Sequence, residues 1–268
     1  MKPRSWFLWV CATVLMAGTA IYQRMTGPTY PVHGVATLGG ERVNFALPRS
    51  YDGFDDAEVR IPVTSPAISG QMEFRRFRSN DIWERSAMNR DSDALVSHIP
   101  HQPVSGKVMY RILLASGDQS PVPLTSEPII IRFRNKVPPY VYVPHIFLMF
   151  SALLFASRAG LEDLVRGVRT YRLTLYTVIA LAVGGLMLGP LMQKFAFNAY
   201  WTGWPLGHDL TDNKTAAALL VWVIAFWRLK GGPQKRGWAL TALVLTLVVY
   251  FIPHSILGSE LDYTRAPQ

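Results

Sequence analysis

Five apolar stretches constrain the fold of this chain more than any other feature. They lie at residues 6–22, 141–156, 173–192, 219–227 with a lead-in at 215–218, and 238–257. A helix needs roughly 20 apolar residues to cross about 30 Å of hydrocarbon, where backbone groups find no partner outside their own segment. Between the first and second stretches the composition changes. Residues 24–138 hold 26 charges in 115 positions, whereas the other 153 positions hold 19. The sequence therefore predicts an α-helical membrane bundle of five transmembrane helices with an inserted extracytoplasmic all-β sandwich-like domain. The boundaries are 1–23 for an N-terminal anchor, 24–138 for the β domain, 139–258 for a four-helix transmembrane domain and 259–268 for a C-terminal tail. Lys2 and Arg4 ahead of a short apolar run also fit a cleavable signal peptide; the length and aromatic content of the run favour a retained anchor.

Orientation follows from Lys and Arg in the short loops, which stay cytoplasmic. Lys2, Arg4, Arg158, Arg166, Arg169, Arg172, Arg228, Lys230, Lys235 and Arg236 fall on one side, against Lys194, Lys214 and Arg265 on the other. This predicts an N-in, C-out protein of a bacterial inner membrane, with the β domain in the periplasm. The net charge of +9 is then mainly a topology signal, and no nucleic-acid partner is expected. The single cysteine, Cys11, excludes an internal disulfide and a thiolate metal site. The expected partners are the lipid bilayer and another membrane or periplasmic protein.

In the middle region, strand candidates at 42–47, 57–63, 71–78, 94–99, 107–115 and 128–134 alternate with Gly, Pro, Asn and Ser punctuation. Their number and length resemble immunoglobulin or fibronectin type III modules, without the Cys and Trp hallmarks of true immunoglobulin domains. Asp52, Asp55, Asp56 and Glu58 lack calcium-loop spacing, and His98 and His101 read as a surface pair in a turn. Arg75, Arg76 and Arg78 read first as a solvated strand face or edge protection, and second as an anion site.

The densest chemistry lies at the outer rim. The loop after the third stretch carries His208, Asp209, Asp212 and Lys214, which are the candidate catalytic or substrate-contacting groups. His145, following Pro144, and His254, following Pro253, fall at the same topological level and with Glu260 form a candidate metal set. Neutral imidazole and carboxylate are ordinary ligands of a transition metal or haem-type centre. Charge cancellation between Asp212 and Lys214, and helix capping by Asp212 or Asn213, are the structural alternatives. Only 13 residues separate Lys214 from Arg228, so either the polar segment dips below the headgroups or Arg228 snorkels outward.

The string Trp201-Thr202-Gly203-Trp204-Pro205-x-Gly207-x-Asp209-Leu210-Thr211-Asp212-Asn213-Lys214, with Pro253-His254 and residues 258–263, resembles outer-face segments of an uncharacterised bacterial inner-membrane protein family. The resemblance covers about thirty residues and implies no reaction. Two functions follow from the residues: a periplasm-facing redox or enzyme subunit built on the rim cluster, or a non-enzymatic accessory or assembly protein whose β domain grips a partner.

Overall fold

The computed structural model describes residues 5–232, 236–252 and 260–264. They form a mixed helix-and-sheet protein of two units: a helical one from residues 5–28 and 137–252, and a strand-rich one from 29–136 with 260–264.

In the helical unit α1 (Ser5–Thr26) is followed in sequence, after the β unit, by α2 (Pro139–Leu164), α3 (Thr170–Leu181), a π-helical stretch (Ala182–Leu188) and α4 (Gly189–Phe197), then α5 (Leu210–Leu229) and α6 (Trp238–Phe251). Ser5–Thr26, Pro139–Leu164 and the continuous Thr170–Phe197 are long and apolar enough to cross a membrane. The π stretch precedes Pro190, which lacks an N–H and whose ring would press on the carbonyl four residues back; a wider turn accommodates both. Two of the helices outrun their apolar cores. The second runs to Leu164, so Arg158, counted above among the loop cations, is a buried helix residue, as are Glu162 and Asp163. The fifth starts at Leu210, so the polar residues up to Lys214 form its first turn. At 1.5 Å per residue its 20 residues span about 30 Å, which removes the apparent shortage of length.

Small residues set the helix packing. Ala152, Ala156 and Ala159 of α2 meet Ala239, Ala242 and Leu243 of α6 in one buried cluster. A Cβ on Gly160 would collide with Leu243, so glycine is what allows the approach there. Trp222, fully buried, donates its indole N–H to Thr246 Oγ1 at 2.8 Å, and that hydroxyl donates to the Ala242 carbonyl at 2.7 Å. The most polar part of this unit lies towards the end of α2. Arg158 pairs with Glu162 at 2.5 Å and stacks over Trp9, while Asp163 Oδ2 accepts from the first-turn N–H groups of Gly237 and Leu240.

In the β unit the strands are β1 (Val32–Leu38), β2 (Glu41–Leu47), β3 (Ser50–Tyr51), β4 (Ala57–Pro62), β5 (Ile68–Arg76), β6 (Glu84–Ala87), β7 (Asn89–Asp91), β8 (Ala94–Ile99), β9 (Lys107–Ser116), β10 (Val122–Pro123) and β11 (Ile129–Phe133). They form a β1–β2 hairpin, a sheet of order β3-β11-β9-β5-β6 with β10 added on β9, and a β4-β8-β7 sheet. The pairings are antiparallel except β3 with β11. All six strands expected from the pattern are present. Missing from that reading were β1, β3, β6, β7 and β10, which are short or poor in bulky apolar residues and owe their extension to a neighbour's hydrogen bonds. Strict alternation, as in β4 and β9, turns Val59, Ile61, Val108, Tyr110, Ile112 and Leu114 into one core with Leu47, Ile68, Met72, Ile131 and Phe133. Burying each such side chain contributes about 1.5–3 kcal/mol. The Tyr110 hydroxyl donates to the Pro48 carbonyl at 2.8 Å, and burial pushes its ionisation far above the ordinary tyrosine range.

Candidate functional site

The rim residues come together in the helical unit, in the turn that joins α4 to α5. The first helix stops at Asn198, whose left-handed backbone (φ 60°) is one that Asn tolerates better than most residues. The chain then folds back so that Thr202, Gly203 and Trp204 lie against the first turn of α5. Asp212 Oδ2 accepts from the Thr202 and Gly203 N–H groups at 2.7 and 2.9 Å, and Asn213 Oδ1 accepts from the Trp204 N–H at 2.7 Å. Asp209 is the N-cap: its Oδ1 accepts from Thr211 N–H at 2.7 Å, and its own N–H donates to the Thr202 carbonyl at 2.9 Å. Gln193 donates to the Thr202 hydroxyl, which lies 3.4 Å from Asp209 Oδ2 and 3.5 Å from Asp212 Oδ2. Gly203 is required because a Cβ there would strike Asp212 and Asn213.

Two carboxylates and an amide are thus directed at backbone N–H groups of the loop they close. Lys214 is buried, and its ammonium donates to the Ile252 carbonyl at 2.6 Å. His208 is exposed on the same loop. The His145 ring sits half-buried on α2 with Nδ1 2.8 Å from the Gly184 carbonyl. That bond fixes the ring and leaves Nε2 as its second polar atom.

The metal set fares differently. Among the described residues no group of three His, Cys, Asp or Glu side chains is close enough to hold a metal ion. His254 lies outside the described residues. Glu260 belongs to the β unit, where its two carboxylate oxygens pair with Lys107 (2.5 Å) and Arg78 (2.7 Å). The same short segment places the Tyr263 ring under the Arg76 guanidinium at 4.7 Å, with its hydroxyl donating to Gln102 Oε1 at 3.1 Å. Burial raises the Tyr263 ionisation above its ordinary value. The closing strand of interactions is Leu261 N–H to the Ser105 carbonyl at 3.3 Å.

A second feature of the β unit was legible only as a run of charge. Where β6 begins, at the Phe74–Glu84 pair, β5 continues to Arg76 with β9 alone beside it. Residues 77–83 turn away and open a cleft of about 390 Å³ whose walls include Phe74, Arg75, Ile82, Glu84, Pro100 and Val108. Arg76 also reaches it, but its guanidinium is held by Asp81, which keeps that carboxyl below the usual carboxylate range. Arg75 lies over Trp83 at 5.2 Å with a buried Nε that has no hydrogen-bond partner. Arg111 lies over the same indole at 5.0 Å and shares the buried Glu73 carboxylate with Arg85. Trp83, Glu73 and Gln102 escaped the sequence reading because nothing local marks them. The buried Arg158–Glu162 pair did leave a signal, an i,i+4 pair within a run of Ala and Gly.

The fold defines a mixed helix-and-sheet chain with three helices long and apolar enough to cross a membrane. No protein-family model matches the chain, and no curated protein is significantly similar to it.

Proposed function

We propose that this is a multi-pass bacterial inner-membrane protein that serves as a non-enzymatic accessory or assembly factor, its β unit projecting into the periplasm to bind a partner protein. In this reading α5 and α6 join the three long apolar helices as spans, the amino terminus is cytoplasmic and the carboxyl terminus periplasmic, an orientation that the distribution of basic residues supports. The carrying observation is how the rim acids are used: Asp209, Asp212 and Asn213 each accept backbone N–H groups between residues 202 and 211. Asp212 and Asn213 tie the backbone of the incoming loop to the first turn of α5, and Asp209 caps that helix. The rim is therefore a shaped loop, and the exposed charged and aromatic surface of the β unit is left as the working face.

The test uses the full chain in native membranes. A photo-crosslinking residue at exposed Phe54 of the β unit should give a defined protein adduct, and the adduct should persist with His208→Ala or His145→Ala. No adduct, or its loss on either rim substitution, overturns the proposal. In a Cys11→Ser background, single cysteines at Ile82 and Leu206 should react with an impermeant maleimide from outside, and one at Arg166 should not; the reverse pattern refutes the orientation.

A further inference from the structure

We propose that the outward face of strands β6, β5 and β9 docks an acidic, extended segment of the partner protein that carries carboxylates at alternate residues. This rests on the partner-binding reading and names the place and chemistry of contact. Strand register sets two adjacent rows of side chains across the three strands. In the first, Arg85 of β6, Glu73 of β5 and Arg111 of β9 stand opposite one another; in the second, Arg75 of β5 faces Met109 of β9. Residues two apart on a strand point to the same face about 7 Å apart, so Glu73 and Arg75 look outward while Met72 enters the core. Trp83, just ahead of β6, joins the two rows: the Arg75 and Arg111 guanidiniums lie over its ring at 5.2 and 5.0 Å.

One buried carboxylate serves this face. Glu73 pairs with Arg85 at 2.8 Å and with Arg111, so these two guanidiniums and that of Arg75 have a single acid among them. Among the described residues no carboxylate lies within ion-pair distance of Arg75, and its buried Nε has no hydrogen-bond partner. Stacking on Trp83 restrains the guanidinium without giving it an acceptor, and a buried donor left unmade is costly. A carboxylate satisfies such a fork through two parallel bonds. Arg85 and Arg111 stay open to a second acid, their side chains 68% and 41% exposed. On β9 the half-buried Met109 and Leu113 flank Arg111 on the same face. Cations and apolar side chains therefore recur together at the repeat of an extended chain. A polypeptide strand can match both, with carboxylates two residues apart and apolar side chains at the next such positions, whereas a layer of lipid headgroups offers phosphate alone.

The experiment titrates full-length protein in an uncharged detergent at low salt with two blocked peptides of one composition, read by calorimetry. In acetyl-Val-Thr-Glu-Thr-Glu-Thr-Val-amide both acids fall on one face of the extended chain; in acetyl-Val-Thr-Glu-Glu-Thr-Thr-Val-amide they fall on opposite faces. The alternating peptide should bind saturably, and its isomer about tenfold more weakly, as loss of one charge-assisted contact implies. Arg75→Gln should abolish the preference between the two. Glu73→Gln removes the one acid of the face and should tighten binding of the alternating peptide, a gain that misfolding cannot mimic. Equal binding of the two peptides, a preference unchanged by Arg75→Gln, or no tightening by Glu73→Gln would each overturn the proposal. Displacement of the peptide by short-chain phosphatidylglycerol would give the face to lipid, and a dimer lost on Arg75→Gln would give it to a second copy; either overturns it. If neither peptide binds while Phe54 still yields its adduct in membranes, the assignment of this face fails and the accessory role stands.

Discussion

Removing the Asp212 side chain tests whether the rim acid is scaffold or chemistry. Its Oδ2 takes the Thr202 N–H at 2.7 Å and the Gly203 N–H at 2.9 Å, and Gly203 is buried. Asp212→Ala strands both donors. At roughly 1–3 kcal/mol for a buried donor left unmade, less for the half-buried Thr202, the loss should total about 2–4 kcal/mol. Asp212→Asn keeps one carbonyl oxygen able to accept both bonds and gives up only the charge, so it should cost about 1 kcal/mol or less. The assay is denaturant unfolding in detergent micelles followed by tryptophan fluorescence, since Trp201 and Trp204 flank the two donors, with limited proteolysis of residues 199–208 as a second reading. Thr202→Ala, which keeps its backbone N–H, should leave the Asp212→Ala penalty intact. The reasoning is refuted if Asn and Ala cost the same, which would mean the charge matters and not the acceptor, or if Ala costs nothing.

Three further outcomes follow from the same geometry. Glu41 accepts from Thr64 N–H, Thr64 Oγ1 and Ser65 N–H, which holds its folded carboxyl below the usual value, as Arg76 does for Asp81. Both groups therefore add stability that is fully present above about pH 5 and is lost as pH falls through their unfolded values near 4 and below; thermal melts from pH 6 to 3 should show the loss, and Glu41→Gln should flatten it. Gly160→Val should destabilise the helical unit by about 1–3 kcal/mol, because its Cβ meets Leu243, and Leu243→Ala should relieve part of that cost in a double-mutant cycle. Arg158→Leu leaves Glu162 buried without its partner and should cost about 3–5 kcal/mol, whereas Arg158→Leu with Glu162→Leu should recover much of it, measured by thermal unfolding in detergent.

Sequence pattern found the elements whose burial is periodic. Strands such as β4 and β9 alternate inward and outward residues on their own account, so Val59, Ile61, Ile112 and Leu114 were readable as core. Edge strands were not, because Glu84–Ala87 and Asn89–Asp91 carry no apolar period and are extended only by pairing with β5 and β8. The rim was half-readable. Spacing suggested Asp212 or Asn213 as the helix cap, and the structure gives that place to Asp209, three residues earlier; no local rule tells whether a carboxylate one turn further on faces solvent, a metal or the backbone of a loop ten residues earlier. The Glu260 carboxylate is the sharper case: topology placed it with rim histidines, and contact placed it between Lys107 and Arg78.

Amino-acid composition and hydropathy alone determined that this chain divides into an apolar helical part and a charged strand-rich part, because burial in hydrocarbon or in a sheet core imposes its period on every residue of a segment. Tertiary structure alone decided what the isolated polar groups do. A hydrogen bond or ion pair depends on two groups meeting within about 3 Å; for Asp212 the partner is set by how the preceding loop folds back, and for Glu260 by segments more than 150 residues away along the chain.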